Sequence, residues 1–143
     1  MIQLENVCKK LGTFELKDVS FTLPAGYICG IAGRNGAGKT TLLHLLLGLY
    51  RPDSGQVMIF DRGYDTQEKQ IHDSVGVVLN EDLMENHWSL EKNGDYYGKY
   101  YSGYQKEQLI SYLKQFGLEK KQKIRKAFQR GKIKISVCVC LIV

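Results

Sequence analysis

Apolar residues occupy alternate positions in VSFTL, residues 19–23, and a period of two predicts a strand with one buried face. The turn residues Pro24, Ala25 and Gly26 close it. Residues 27–32, YICGIA, are almost continuously apolar and stop at a glycine, which predicts a short buried strand. Further on, Leu42, Leu43, Leu45, Leu46, Leu47 and Leu49 predict a helix that is apolar nearly all round, the pattern of one buried beside a sheet. PDSG, residues 52–55, reads as a turn, with strands predicted over 57–60 and 75–79. From Ser89 the period lengthens. Ser89 is a candidate N-cap for a helix over 90–101, and Leu109, Ile110, Leu113 and Phe116 predict a second helix over 106–116, closed by Gly117. Strands followed by helices in this order predict an α/β fold.

Composition narrows the class. With 143 residues, 43% of them hydrophobic, the chain suffices for one core. The start, MIQLENVCKK, has no basic-then-apolar leader, and the apolar stretch 42–49 falls far short of the roughly 20 residues that span a bilayer. The expectation is a cytosolic type of chain. The net charge is +5, but eight of the 20 Lys and Arg fall in residues 120–134, which hold no acid. A single basic run reads as a solvated segment, so nucleic acid is not predicted as a partner. The cysteines, Cys8, Cys29, Cys138 and Cys140, show no metal-site spacing, and neither a disulfide nor a metal other than one bound with nucleotide is predicted. CLIV at the end has the outline of a prenylation box, but Val is not a usual last residue.

The chemistry is concentrated in residues 33–41, GRNGAGKTT, which match G-x-x-x-x-G-K-[ST] between a predicted strand and a predicted helix. Gly33, Gly36 and Gly38 let the backbone curl so that its N–H groups converge on a phosphate, and no side chain obstructs it. Arg34, Asn35, Ala37 and Thr41 contribute backbone to the same cradle. The helix start adds partial positive charge, Lys39 a full one toward the β- and γ-phosphates, and the Thr40 hydroxyl is placed to ligate Mg²⁺.

GRNGAGKTTLL followed by GLYRPDSGQVMIF resembles the first half of an ATP-binding-cassette (ABC) ATPase, the ATP-binding subunit of an ABC transporter. The upstream LENVCKKLGTFELKDVSFTLPAGYICGI resembles that family's opening β-hairpin region, and the resemblance runs to about residue 125. It implies a P-loop NTPase core with an N-terminal antiparallel β region, parallel core strands and part of a helical subdomain. The expected division is 1–85 for the nucleotide-binding core, 86–125 for the helical part and 126–143 for an aberrant tail. The family's adenine-stacking aromatic corresponds to Leu11, with Phe14 the nearest aromatic. The family's metal-facing Gln corresponds to Asn80, so the resemblance gives Thr40 and Asn80 as the Mg²⁺ ligands and ATP as the nucleotide. Tyr96, Tyr97, Tyr100, Tyr101 and Tyr104 read as packing in preference to a partner surface.

The family divides its site between two copies and adds a signature motif, a Walker B Asp, a catalytic Glu and a switch His. The last three have no counterpart in this sequence; His44, His72 and His87 lie too early. No catalytic residue is assigned, and little or no hydrolysis is expected of these 143 residues. Where a signature belongs stands KAFQRGKIKI, and a neighbouring reading frame from Ala127 permits LSRGEKLKFQFAFAL. The tail, SVCVCLIV included, therefore reads as a helix translated out of frame from near Lys126. The implied function is coupling of MgATP to transport through a membrane permease, with a second ATP-binding subunit as partner, at the cytoplasmic face of the membrane. The alternative is a truncated, non-catalytic nucleotide-binding fragment or a product without function. A P-loop kinase is disfavoured by the pattern after the loop.

Overall fold

A computed structural model describes residues 1–77 and 84–124. The chain divides into two compact units, Met1–His72 and Asp73–Val143. The division precedes the expected boundary at residue 85, and Asp73 at its start accepts the N–H and the hydroxyl of Ser102.

The first unit is built on an antiparallel sheet ordered β2-β1-β3-β4. Its strands are β1 (Ile2–Leu11), β2 (Phe14–Leu23), β3 (Ser54–Ile59) and β4 (Arg62–Gly63). β3 and β4 turn through Phe60 and Asp61, both at positive φ (52° and 62°), as a two-residue hairpin requires. In β1, Leu4 and Val7 are both buried although three residues apart. A regular strand would place them on opposite faces. A bulge at Asn6 (φ 49°) absorbs the extra residue, and the pairing with β2 shifts between Leu4 and Val7. A second shift follows between Val7 and Lys9, with Asp18 of β2 at φ 51°. The two bulges cancel, so Leu11 meets Phe14 in the register that Ile2 and Leu23 began. Ser20 Oγ accepts the Asn6 N–H at 2.8 Å, and Cys8 Sγ accepts that of Asp18 at 3.2 Å.

Helix α1 (Lys39–Leu46) packs on this sheet through Leu45 and is followed by α2 (Tyr64–Ser74), whose buried residues are Tyr64 and Ile71. The Tyr64 hydroxyl donates to the Leu46 carbonyl at 2.6 Å and its ring fills the space beside Gly48.

Three expectations change. Residues 27–32 run as an unpaired segment, with Ile28 102% and Tyr27 71% exposed. An apolar run is a buried strand only where neighbours supply a ladder, and no described strand pairs with it. The described sheet is antiparallel throughout; no parallel strand occurs among the described residues, and of the strand expected over 75–79, residues 75–77 lie outside any strand while 78–79 are not described. Helix α1 is shorter than its leucine run and buries one leucine, leaving Leu43 and Leu49 exposed, because the sheet covers only one side of it.

The second unit contains α3 (Leu90–Gly98) and α4 (Lys106–Gln115). Ser89 caps α3 as expected, its hydroxyl accepting the Lys92 N–H at 3.1 Å; α3 ends at Gly98, short of residue 101. Leu90, Leu109, Leu113 and Ile124 form the core, with Met84, Tyr104, Tyr112 and Leu118 against it. Gly94 lets α4 approach, since a Cβ there would overlap Leu109, and Gly98 makes room for the Tyr104 ring that precedes α4. α4 ends where predicted, at Gly117 with φ 68°. The tyrosines divide: Tyr104 packs on the core, whereas Tyr96 and Tyr100 are exposed with Lys99 over both rings.

Candidate functional site

The loop that enters α1 is shaped by two glycines in the left-handed region, Gly36 at φ 81° and Gly38 at φ 94°. Between them the Ala37 N–H donates to the Arg34 carbonyl at 3.2 Å, closing a turn over residues 34–37. Gly38 is the N-cap of α1, and its carbonyl accepts the first helical hydrogen bond, from Leu42 N–H at 2.8 Å. A glycine cap has no side chain to satisfy the first-turn donors, and the first turn carries no acid. The positive end of α1 is therefore left uncompensated.

Lys39 is folded onto the loop it follows. Its Nζ donates to the Gly33 carbonyl at 2.7 Å and the Arg34 carbonyl at 2.8 Å. The ammonium is thus held inside the curve of the loop with a third donor position to spare. Residues 33–37 are exposed and Thr40 lies in the exposed part of the first turn, with Thr41 beside it. Uncapped N–H groups, a lysine ammonium and a hydroxyl form a donor set that fits a chain of phosphates with a hard cation beside it.

Floor and walls come from β2. A Cβ placed on Gly38 would lie 2.7 Å from Phe14 Cζ and 3.2 Å from Leu16 Cδ1, so both side chains press on the N-cap. Leu11 stands opposite Phe14 at the end of the hairpin, half-buried. The sequence marks Phe14 only as the nearest aromatic to Leu11; no motif marks its contact with Gly38. Asn80, expected beside the metal, lies outside the described residues, as do residues 125–143 with the predicted shifted frame and Cys138 and Cys140.

His44 and His72 make local contacts and His87 is exposed. The His44 ring lies edge-on to Tyr50, and His72 reaches the Leu47 carbonyl at 3.3 Å. Among the described residues no group of three or more His, Cys, Asp or Glu is placed to hold a metal, and no helix is long and apolar enough to cross a membrane.

A family model described as ABC transporter matches residues 16–137. The sulfate/thiosulfate import ATP-binding protein CysA of Synechococcus elongatus is 37% identical over 94 residues, which are 64% of this chain and 27% of that protein. Nod factor export ATP-binding protein I of Bradyrhizobium diazoefficiens is 31% identical over 137 residues, 93% of this chain and 45% of that protein. The chain thus spans less than half the length of these relatives. Among solved structures, an ATP-binding subunit of an ABC transporter superposes with a TM-score of 0.80 at 16% identity, over 99% of this chain and 61% of its own. The cbiO1 protein of Clostridium perfringens, part of the complex cbiONQ, superposes with a TM-score of 0.76 at 18% identity, with the same coverage. At these identities the likeness is one of fold.

Proposed function

The chain belongs to the ABC transporter family, and from that premise we propose that residues 33–41 bind the phosphates of ATP with Mg²⁺. The observation that carries this reading is the entry to α1: two left-handed glycines, an N-cap without a side chain and an ammonium held 2.7 Å from the Gly33 carbonyl. Backbone N–H groups of residues 36–41 would surround the β-phosphate, and Lys39 would turn one donor toward the β- and γ-oxygens. Thr40 and Asn80 would ligate the metal, which would offset phosphate charge. Leu11 would lie against the adenine by apolar contact.

For the whole protein, the role proposed is that of its relatives, an ATP-binding subunit that joins a second copy and a membrane permease at the cytoplasmic face. Its relatives include both import and export proteins, so neither cargo nor direction is assigned. For these 143 residues the proposal is binding with little turnover. Nucleotide titration of the purified chain tests it. Lys39→Ala should weaken MgATP binding about 10- to 100-fold, the scale of hydrogen bonds to a charged group. Equal binding by wild type and variant would refute the reading.

A further inference from the structure

We propose that Phe14 is a positioning residue for the phosphate loop, a ring wedged against the N-cap of α1 that fixes the direction of its first-turn donors. The inference rests on the phosphate-binding reading above and adds to it a residue outside the loop.

The geometry starts at Gly38. Its φ of 94° belongs to a residue with two soft torsions and no side chain to restrain them. The N-cap makes no side-chain hydrogen bond, so its own segment restrains it only through the Leu42 bond to its carbonyl and the Lys39 bonds to the Gly33 and Arg34 carbonyls. The helix-side donors of the site lie just beyond that hinge: the N–H groups of Lys39, Thr40 and Thr41 and the Lys39 ammonium. A small rotation at Gly38 would swing all of them together.

Phe14 removes that freedom from outside. Its Cζ and Cε1 lie 2.7 Å and 3.6 Å from where a Cβ on Gly38 would stand, so the ring occupies the space that a side chain there would fill. Leu16 backs it at 3.2 Å from the same point, two residues along and on the same face of β2. A planar ring held by a paired strand is a stiff element. Its cross-strand partner is Leu11, so the hairpin end and the loop form one packed assembly within the first unit. Restraining donors before the ligand arrives lowers the ordering cost of binding.

A ring so near the loop could instead act on the base of a nucleotide, and the ligand can be chosen to separate the two. Inorganic tripolyphosphate has the phosphates and no base. Binding of Mg-tripolyphosphate and MgATP is compared for the full chain and for Phe14→Ala, Phe14→Tyr, Phe14→Met and Lys39→Ala. Phe14→Ala should weaken both ligands in parallel by about tenfold, the scale of one charge-assisted hydrogen bond lost. Phe14→Tyr, which keeps an aromatic face and a strand-compatible side chain but extends toward Gly38 at Cζ, should weaken both by several-fold. Phe14→Met, long and adaptable, should restore most of the affinity.

Loss confined to MgATP in Phe14→Ala, or full affinity in Phe14→Tyr, would overturn the wedge and leave a base contact in its place. If Phe14→Ala fails to fold, the Tyr and Met variants decide alone, because they fill the site in opposite ways. Weak tripolyphosphate binding by Lys39→Ala with wild-type affinity in all Phe14 variants overturns this inference only. Equal binding by wild type and Lys39→Ala overturns the phosphate reading and this inference together.

Discussion

Asn93 clasps the backbone of Glu85 from both sides: its Oδ1 accepts the Glu85 N–H at 2.9 Å and its Nδ2 donates to the Glu85 carbonyl at 3.1 Å. Nδ2 also donates to the Ser89 carbonyl at 3.1 Å, and the residue is only 1% exposed. A single carboxamide therefore holds the turn before α3 onto the helix itself. Asn93→Leu keeps the volume and removes every partner, so it should destabilise the second unit by about 2–3 kcal/mol. Trp88 is the sole tryptophan of the chain and lies in that turn, so urea unfolding followed by its fluorescence reads this unit directly. A loss below about 0.5 kcal/mol, the range of ordinary surface substitutions, would mean water replaces the clasp without cost.

Gly36 and Gly38 share a left-handed backbone and differ in surroundings. A Cβ at Gly36 meets nothing within 4 Å, whereas one at Gly38 meets Phe14 and Leu16. Gly36→Ala should therefore cost only the strain of positive φ, about 1–2 kcal/mol. Gly38→Ala adds overpacking of a further 1–3 kcal/mol, roughly, and should weaken MgATP binding much more than Gly36→Ala. Titration of the two variants side by side checks the order; equal losses would show that the ring gives way.

The polar cluster joining α3 and α4 should make the second unit acid-sensitive. Burial pushes the Asp95 carboxyl up, but hydrogen bonds from Lys106 at 2.7 Å and Tyr104 at 2.7 Å, with the lysine charge, outweigh it and bring the group below its ordinary value. A depressed carboxylate stabilises the fold above the unfolded value near pH 4, and this contribution is lost as pH falls through the folded value. Urea midpoints by Trp88 fluorescence should drop below about pH 4 in wild type. Asp95→Asn should flatten that drop. At the alkaline end Tyr104, raised first by burial and then by its bond to Asp95, keeps its proton beyond the ordinary phenol range. That contribution is present below the unfolded value near pH 10 and is lost as pH rises through the folded one.

Ile28 is fully exposed, with Tyr27 and Ile31 beside it, and the run lacks a strand partner among the described residues. Such a segment invites association between chains. Ile28→Lys should lower light scattering of concentrated protein while leaving the far-ultraviolet circular dichroism unchanged, since no described core residue is touched. Unchanged scattering would place the association elsewhere.

Legibility followed the range of the interactions involved. The loop, the Ser89 cap and the end of α4 at Gly117 are local devices, each set by residues a few positions apart, and they were readable in the sequence. The exposure of residues 27–32 was not, because an apolar run says what a segment prefers and not whether a neighbour is there. α2 escaped notice since its burial rests on Tyr64 and Ile71 alone, in an otherwise polar stretch broken at Gln67, where φ is −134°. The buried Asn93 and the Phe14 contact were equally hidden. Each depends on geometry across a turn or a hairpin, and neither residue type announces it.

The hairpin counts its residues with two compensating errors. One extra residue at Asn6 inverts the parity of β1, and one at Asp18 inverts that of β2, so odd and even positions agree again at Leu11 and Phe14. The Gly12-Thr13 turn holds Leu11 opposite Phe14 in either case, so deleting Asn6 alone would put Ile2–Leu4 out of phase with Phe21–Leu23, while deleting Asn6 and Asp18 together would bring them back. A mistake made once on each strand is no mistake at either end of the hairpin.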